Sequence, residues 1–257
     1  MTPGVAELRP HVEAHRLRAS CAVAGAVLLV VCAVPQVLDG IGHYEFVEAL
    51  RFCLLAMAVP ALLVVGAPWA LLGVRAAVLD SVSATRRRHS KMTWSLACLA
   101  VDVGVIVAWR TPRLVNALAH SAVIVPFEAV TLVAAGIALW LELVESPPLV
   151  PRVSRPKRAV LAALAMWSVW GIAYLDAMSP APWYTSFRHI AGSGLSAAAD
   201  RQVAAAVMWA AAAATFMPVV FWNLSEWLRS DSRGDDAVIG RLAEERRAAG
   251  PEGLATG

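Results

Sequence analysis

The stretch LLAMAVPALLVVGAPW, residues 54–69, reads as a membrane helix with two prolines set into it. Pro60 and Pro68 stand eight residues apart in a run that is otherwise Leu, Val, Ala, Met and Gly. A proline inside a helix removes a backbone hydrogen bond and clashes with the preceding turn, at a cost of about 3 kcal/mol. In lipid, every backbone polar group must find its partner inside the protein. The stretch therefore predicts a span that bends at its prolines and packs against other helices, away from bulk lipid.

The rest of the chain agrees. Hydrophobic residues make up 59% and charged residues 16%, and the mean hydropathy is +0.62. Such a composition excludes a soluble globular domain. A helix needs about 20 apolar residues to cross the hydrocarbon core, and six stretches qualify: roughly 18–38, 50–74, 92–110, 116–141, 158–178 and 198–223. The fold class is thus all-α, a polytopic transmembrane bundle of about six spans. Residues 1–17 form an N-terminal tail, 18–228 the bundle and 229–257 a charged C-terminal tail. The first stretch ends in VPQVLDG, without the small-residue pattern of a signal cleavage site, so it reads as a retained anchor.

Charge sets the orientation. With the N-terminus on the cytoplasmic side and the spans alternating, seventeen of the 22 Lys and Arg residues fall on the cytoplasmic face. The remaining five are Arg51, Arg110, Arg113, Arg188 and Arg201. The positive-inside rule then predicts both termini in the cytoplasm. The basic run TRRRHSK, 85–91, is a topology determinant beside anionic head groups. No basic patch lies on a soluble face, so nucleic acid is not a partner. The tail segment DDAVIGRLAEERRAAG, 235–250, predicts a short helix.

Candidate chemistry is sparse. No phosphate-binding glycine loop or nucleophile elbow occurs. Asp102 and Glu128 are ionisable groups inside predicted spans, which are expensive to place there. They read either as hydrogen-bonded groups that fix helix packing or as proton or metal sites. The four cysteines, Cys21, Cys32, Cys53 and Cys98, form no C-x-x-C pair and read as small packing groups. For copper, soft sulfur ligands suit Cu(I) and imidazole suits Cu(II). Cys53 and Met57 lie four apart on one helix face, while His43, His120 and His189 fall on the outer side. Met and Cys are also ordinary helix-packing residues. Trp94, Trp109, Trp183, Trp222 and Trp227 lie near span ends, where aromatic belts form.

Here the opening stretch becomes specific. EALRFCLLAMAVPALLVVGAPW, 48–69, resembles the signature helix of the CtaG family, membrane proteins that assist assembly of cytochrome c oxidase, through Pro60, Leu62, Leu63, Gly66 and Pro68. PFEAVTLVAAGIALW resembles a later family helix through Glu128, Gly136 and Trp140. SAAADRQVAAAVMW is similar to its Asp-Gln helix start through Asp200, Gln202, Met208 and Trp209. The three matches follow the family's order over about residues 43–225. The resemblance also marks departures. Where the family places two histidines four apart, this chain has Glu48 and Phe52. Where it places His-x-x-Glu-His, this chain has Val125, Glu128 and Ala129.

The resemblance implies a non-enzymatic protein of the bacterial cytoplasmic membrane, tied to cytochrome c oxidase as assembly factor or bound accessory subunit. Its partners would be subunits of the oxidase or respiratory supercomplex and the lipid membrane, and it carries no obligate cofactor. Two alternatives remain open at this stage. One is a copper metallochaperone with an outer site drawn from His43, His120, Met57 and Cys53. The other is a proton-linked membrane enzyme using Asp102 and Glu128.

Overall fold

The computed structural model describes residues 4–71, 81, 83–85, 90–118, 121, 123–179, 183–187 and 195–248. Among the described residues there is no strand, only helices and an isolated bridge between Ser146 and Leu149. The helices are α1 (Gly4–Val31), α2 (Pro35–Ile41), α3 (Glu45–Cys53), α4 (Val59–Gly66), α5 (Pro68–Leu71), α6 (Lys91–Trp109), α7 (Pro112–Leu118), α8 (Ile124–Leu143), α9 (Arg155–Met178) and α10 (Ala197–Ala248). Among the described residues, five segments are long and apolar enough to cross a membrane, and a bent pair makes up to six. The protein is a multi-pass helical membrane protein.

The first expected span is that bent pair. α1 and α2 meet at 60°, at a break just before Pro35. A proline at the start of a helix needs no N–H there, but the residue before it is pushed out of helical conformation. The fourth expected span, 116–141, also starts later than the hydropathy indicated. Pro112–Leu118 is a separate short helix, and the span is Ile124–Leu143.

The proline stretch resolves into two devices. A single π turn, Leu54–Ala58, joins α3 to α4, and its wider loop carries the Val59 N–H back to the Leu54 carbonyl. The chain passes from this turn into Pro60 at the start of α4. Pro60 has no N–H for the Ala56 carbonyl four residues earlier. α8 comes up against that point with a glycine. A Cβ on Gly136 would lie 2.5 Å from Pro60 Cγ and 2.8 Å from the Ala56 oxygen, closer than side chains pack. Pro68, expected to bend the same span, lies outside it. The span ends at Gly66, Ala67 takes the left-handed conformation at φ 46°, and Pro68 opens a new helix. Of the two prolines, Pro60 alone lies inside the span.

Small residues bring α1 onto α4 as well. A Cβ on Gly66 would fall 2.4 Å from the Ala22 nitrogen. The core runs through α3, the π turn, α8, α9 and α10, with Phe52, Leu55, Met57, Leu139, Trp140 and Phe216 almost wholly enclosed. Trp140 stacks on Phe216 at 5.3 Å. Trp109, expected in an aromatic belt, is instead buried, its indole N–H donating to Thr131 Oγ1 at 2.9 Å. Trp222 and Trp227 are exposed, as a belt requires. All four cysteines are free thiols, three of them buried. The short helix expected at 235–250 proves to be part of α10, which continues unbroken to Ala248.

Candidate functional site

Seven of the buried polar residues, Glu45, Glu48, Arg51, Arg110, Glu128, Asp176 and Asp200, gather around α3. Glu45, Glu48 and Arg51 recur every three residues along α3, a spacing that lines them along one side of a helix. All three are buried, because α10, α2 and the π turn wrap the helix. A charge in such a place needs a partner, and Arg51 and Glu48 each find one from a distant segment. Arg51 donates through Nη1 to Glu128 of α8, and through Nε to the Cys32 carbonyl at 3.0 Å, where α1 has just ended. Glu48 accepts from Nη1 of Arg110, the residue that caps α6. Glu45 meets the carboxyl of Asp176 near the end of α9.

The backbone is tied in the same way. The first N–H groups of α3 lack partners within the helix. Asp200 of α10 supplies them, its Oδ2 accepting from the Glu45 N–H at 2.8 Å and its Oδ1 from the Phe46 N–H at 3.1 Å. A carboxylate at a helix N-terminus also meets the positive end of the helix dipole. The segment 183–187 closes over this end. Tyr184 donates to the Arg110 carbonyl at 3.1 Å, and the Arg110 guanidinium lies between two rings, 5.0 Å from Tyr184 and 5.2 Å from Phe52. Burial raises the Tyr184 phenol above its ordinary value, and Arg110 offsets only part of that. Ser186 anchors the segment by donating its N–H to Asn116 Oδ1 at 3.1 Å.

The residues singled out from the sequence are distributed unequally around this cluster. Glu128 lies in it as Arg51's partner, and Asp200 as the cap of α3. Gln202, two residues on, is exposed. Asp102 is buried at mid-span in α6 without a hydrogen bond or ion pair among the described residues. Cys53 and Met57 are wholly enclosed in the core. His43 sits on the exposed α2–α3 turn, its Nδ1 2.8 Å from the Asp39 carbonyl oxygen. About 12 Å of helix separates the start of α3 from Cys53. His120 and His189 lie outside the described residues. Among the described residues, no three His, Cys, Asp or Glu side chains are grouped as a metal site.

The four positions that the resemblance associates with histidine hold no replacement ligand set. Glu48 is committed to Arg110, and Phe52 packs beneath the same guanidinium. Val125 offers its carbonyl to Arg51 Nη2 at 3.5 Å, and Ala129 faces a small apolar cavity of about 300 Å³ that Cys32 and Arg51 also line. These residues do not fit a copper ion. An ion pair packed between aromatic rings stands there instead.

The sequence reading missed Arg110, Tyr184 and Asp176 as members of the cluster. One signal was available. Arg51 and Arg110 are two of the five basic residues on the side that the charge bias disfavours. A cation kept there at a span end needs a reason other than topology, and buried acids supply it.

Helix content, span lengths and an ion-paired interior define a polytopic helical membrane protein. The chain belongs to the cytochrome c oxidase caa3 assembly factor family, whose model matches residues 2–230. No curated protein and no solved structure matches it.

Proposed function

We propose that the protein serves cytochrome c oxidase without catalysing a reaction itself, as an assembly factor or bound accessory subunit in a bacterial cytoplasmic membrane. The charge bias supports an arrangement with both termini in the cytoplasm, so that the ion-pair cluster lies toward the outer face. The observation that carries the reading is the pairing of Glu48 with Arg110 over Phe52. It occupies the interior with structural contacts at positions that the resemblance associates with histidine ligands.

The work left to the chain is then done by its outside. α9 and α10 pack closely on each other, with Trp170 stacked on Trp209 at 4.6 Å. Their outer faces present Trp167, Tyr174, Leu175, Trp209, Phe221 and Trp222 to the surroundings. In a bilayer such a surface meets lipid chains or the apolar helices of oxidase subunits.

The test is affinity purification of the tagged protein in mild detergent, with mass spectrometry and metal analysis on one sample. Oxidase subunits recovered in fixed ratio, without stoichiometric copper on this chain, are the expected result. Free protein carrying about one copper per chain, lost when His43 and His120 are both changed to Ala, overturns the reading in favour of a copper carrier.

A further inference from the structure

Two of the buried carboxyls in the cluster lack what the others have. Glu48 and Glu128 each face an arginine, and Asp200 faces backbone N–H groups. Glu45 and Asp176 face each other. An ionised carboxylate only accepts hydrogen bonds, so two of them in contact offer each other nothing but repulsion. The structure shows the consequence atom by atom: Glu45 Oε1 and both oxygens of Asp176 are enclosed and find no donor. Asp176 is fully buried and Glu45 nearly so.

The surrounding charges do not balance the pair. From α3 the nearest group is Glu48, also acidic. From the end of α6 comes Arg110, whose charge reaches both carboxyls but whose ion pair is already made with Glu48. Its Nε and Nη2 are enclosed and form no hydrogen bond. From α10 come Arg201, which acts on Asp176, and Asp200, which is occupied at the N-terminus of α3. From the covering segment comes the neutral phenol of Tyr184. Among these groups, the acids outnumber the two arginines.

We propose that Glu45 and Asp176 hold one proton between them, forming a proton-binding site that joins α3 to α9 beneath the 183–187 segment. A proton needs no cavity, which suits a site whose atoms are enclosed. Placed on either residue, it makes that carboxyl a donor and turns the contact into a hydrogen bond to a carboxylate, among the stronger kinds. The bond spans a sequence separation from the second crossing to the end of the fifth. Loss of the proton leaves two negative charges face to face at the point where α3, α9 and the cap segment meet. The site is therefore a latch that is closed when protonated and loosened when the proton leaves.

Infrared spectroscopy of the detergent-solubilised full chain, compared with E45Q and D176N, tests this. Gln and Asn keep the shape and donor capacity of a protonated acid, so both variants should fold. At neutral pH, the wild-type spectrum should contain a carboxylic acid C=O band that is lost in each variant. The thermal midpoint of the wild type should shift downward as pH rises above neutral, short of the range where phenols titrate, and this shift should disappear in both variants. Retention of the full carboxylic acid band in both variants overturns the proposal. So does an unchanged pH dependence across the three proteins, which would assign the pair to two ionised groups held by Arg110 and Arg201.

Discussion

Arg51 and Glu128, 77 residues apart in sequence, close an ion pair in the interior between α3 and α8. Both side chains are almost wholly enclosed. Removing one partner from such a pair strands a charge, at about 3–5 kcal/mol, whereas replacing both with apolar groups is often nearly neutral. Arg51→Ala and Glu128→Ala should each lower stability by roughly that amount. The double variant Arg51→Leu/Glu128→Leu should recover most of it. It should still fall short by about 1 kcal/mol, because Arg51 Nε also holds the Cys32 carbonyl. Thermal unfolding of all four proteins in one detergent checks the cycle.

The meeting of Gly136 with Pro60 gives a second prediction. No side chain fits at Gly136 unless α8 moves away from Pro60. Overpacking of this kind costs about 1–3 kcal/mol. Gly136→Ala should destabilise within that range and Gly136→Val by more, although both raise the intrinsic preference for helix or apolar burial. Equal stability of Gly136→Ala and wild type in a thermal-shift assay would refute the close contact.

Asp200 makes the third. It caps a helix that is not its own, so its loss should be felt at α3 as well as at the start of α10. Asp200→Ala should cost about 0.5–2 kcal/mol, the usual range for a lost N-cap. Asp200→Asn, which keeps one side-chain oxygen, should cost less. Hydrogen exchange should show the Glu45 and Phe46 amides opening first in Asp200→Ala.

Tyr184 provides a pH prediction. Its buried phenol is held above the ordinary value, first by burial, so the folded protein keeps this proton where an unfolded chain has released it. Stability must then fall as pH rises past the ordinary phenol range near about 10. In Tyr184→Phe this part of the alkaline loss should vanish, although the ring remains against Arg110. Ultraviolet titration of wild type minus variant should place the Tyr184 midpoint above that of a free phenol. A difference titration at the ordinary value would count against its burial under the cap.

Much of the architecture was legible because it depends on local pattern. Apolar length located the crossings, and Pro60 is packed inside the bundle as the stretch predicts. Glu128 stood out because a carboxylate inside an apolar run is costly wherever it ends up. The breaks were harder. Hydropathy averages over a window, so it carried the first span through the bend at Pro35 and the second past Ala67. The partners were not legible at all. Nothing near Glu48 in sequence points to Arg110, and nothing near Glu45 points to Asp176, because those contacts exist only once four crossings have packed. The sulfur and imidazole groups illustrate the converse. Cys53 and Met57 are four apart in sequence, yet both are closed in by the core, a π turn begins between them, and His43 remains on the surface.

The length of α10 ties distant parts of the molecule together. Its 52 residues extend about 78 Å, far more than the roughly 30 Å of a hydrocarbon core. The residue that closes the start of α3, Asp200, stands in its first turn, and the helix runs on to Ala248. One rod thus has its tip in the ion-pair cluster and its other end far from it, with Pro218 inside it. A proline removes one rung from the ladder of hydrogen bonds, so Pro218 is the point along the rod where bending costs least.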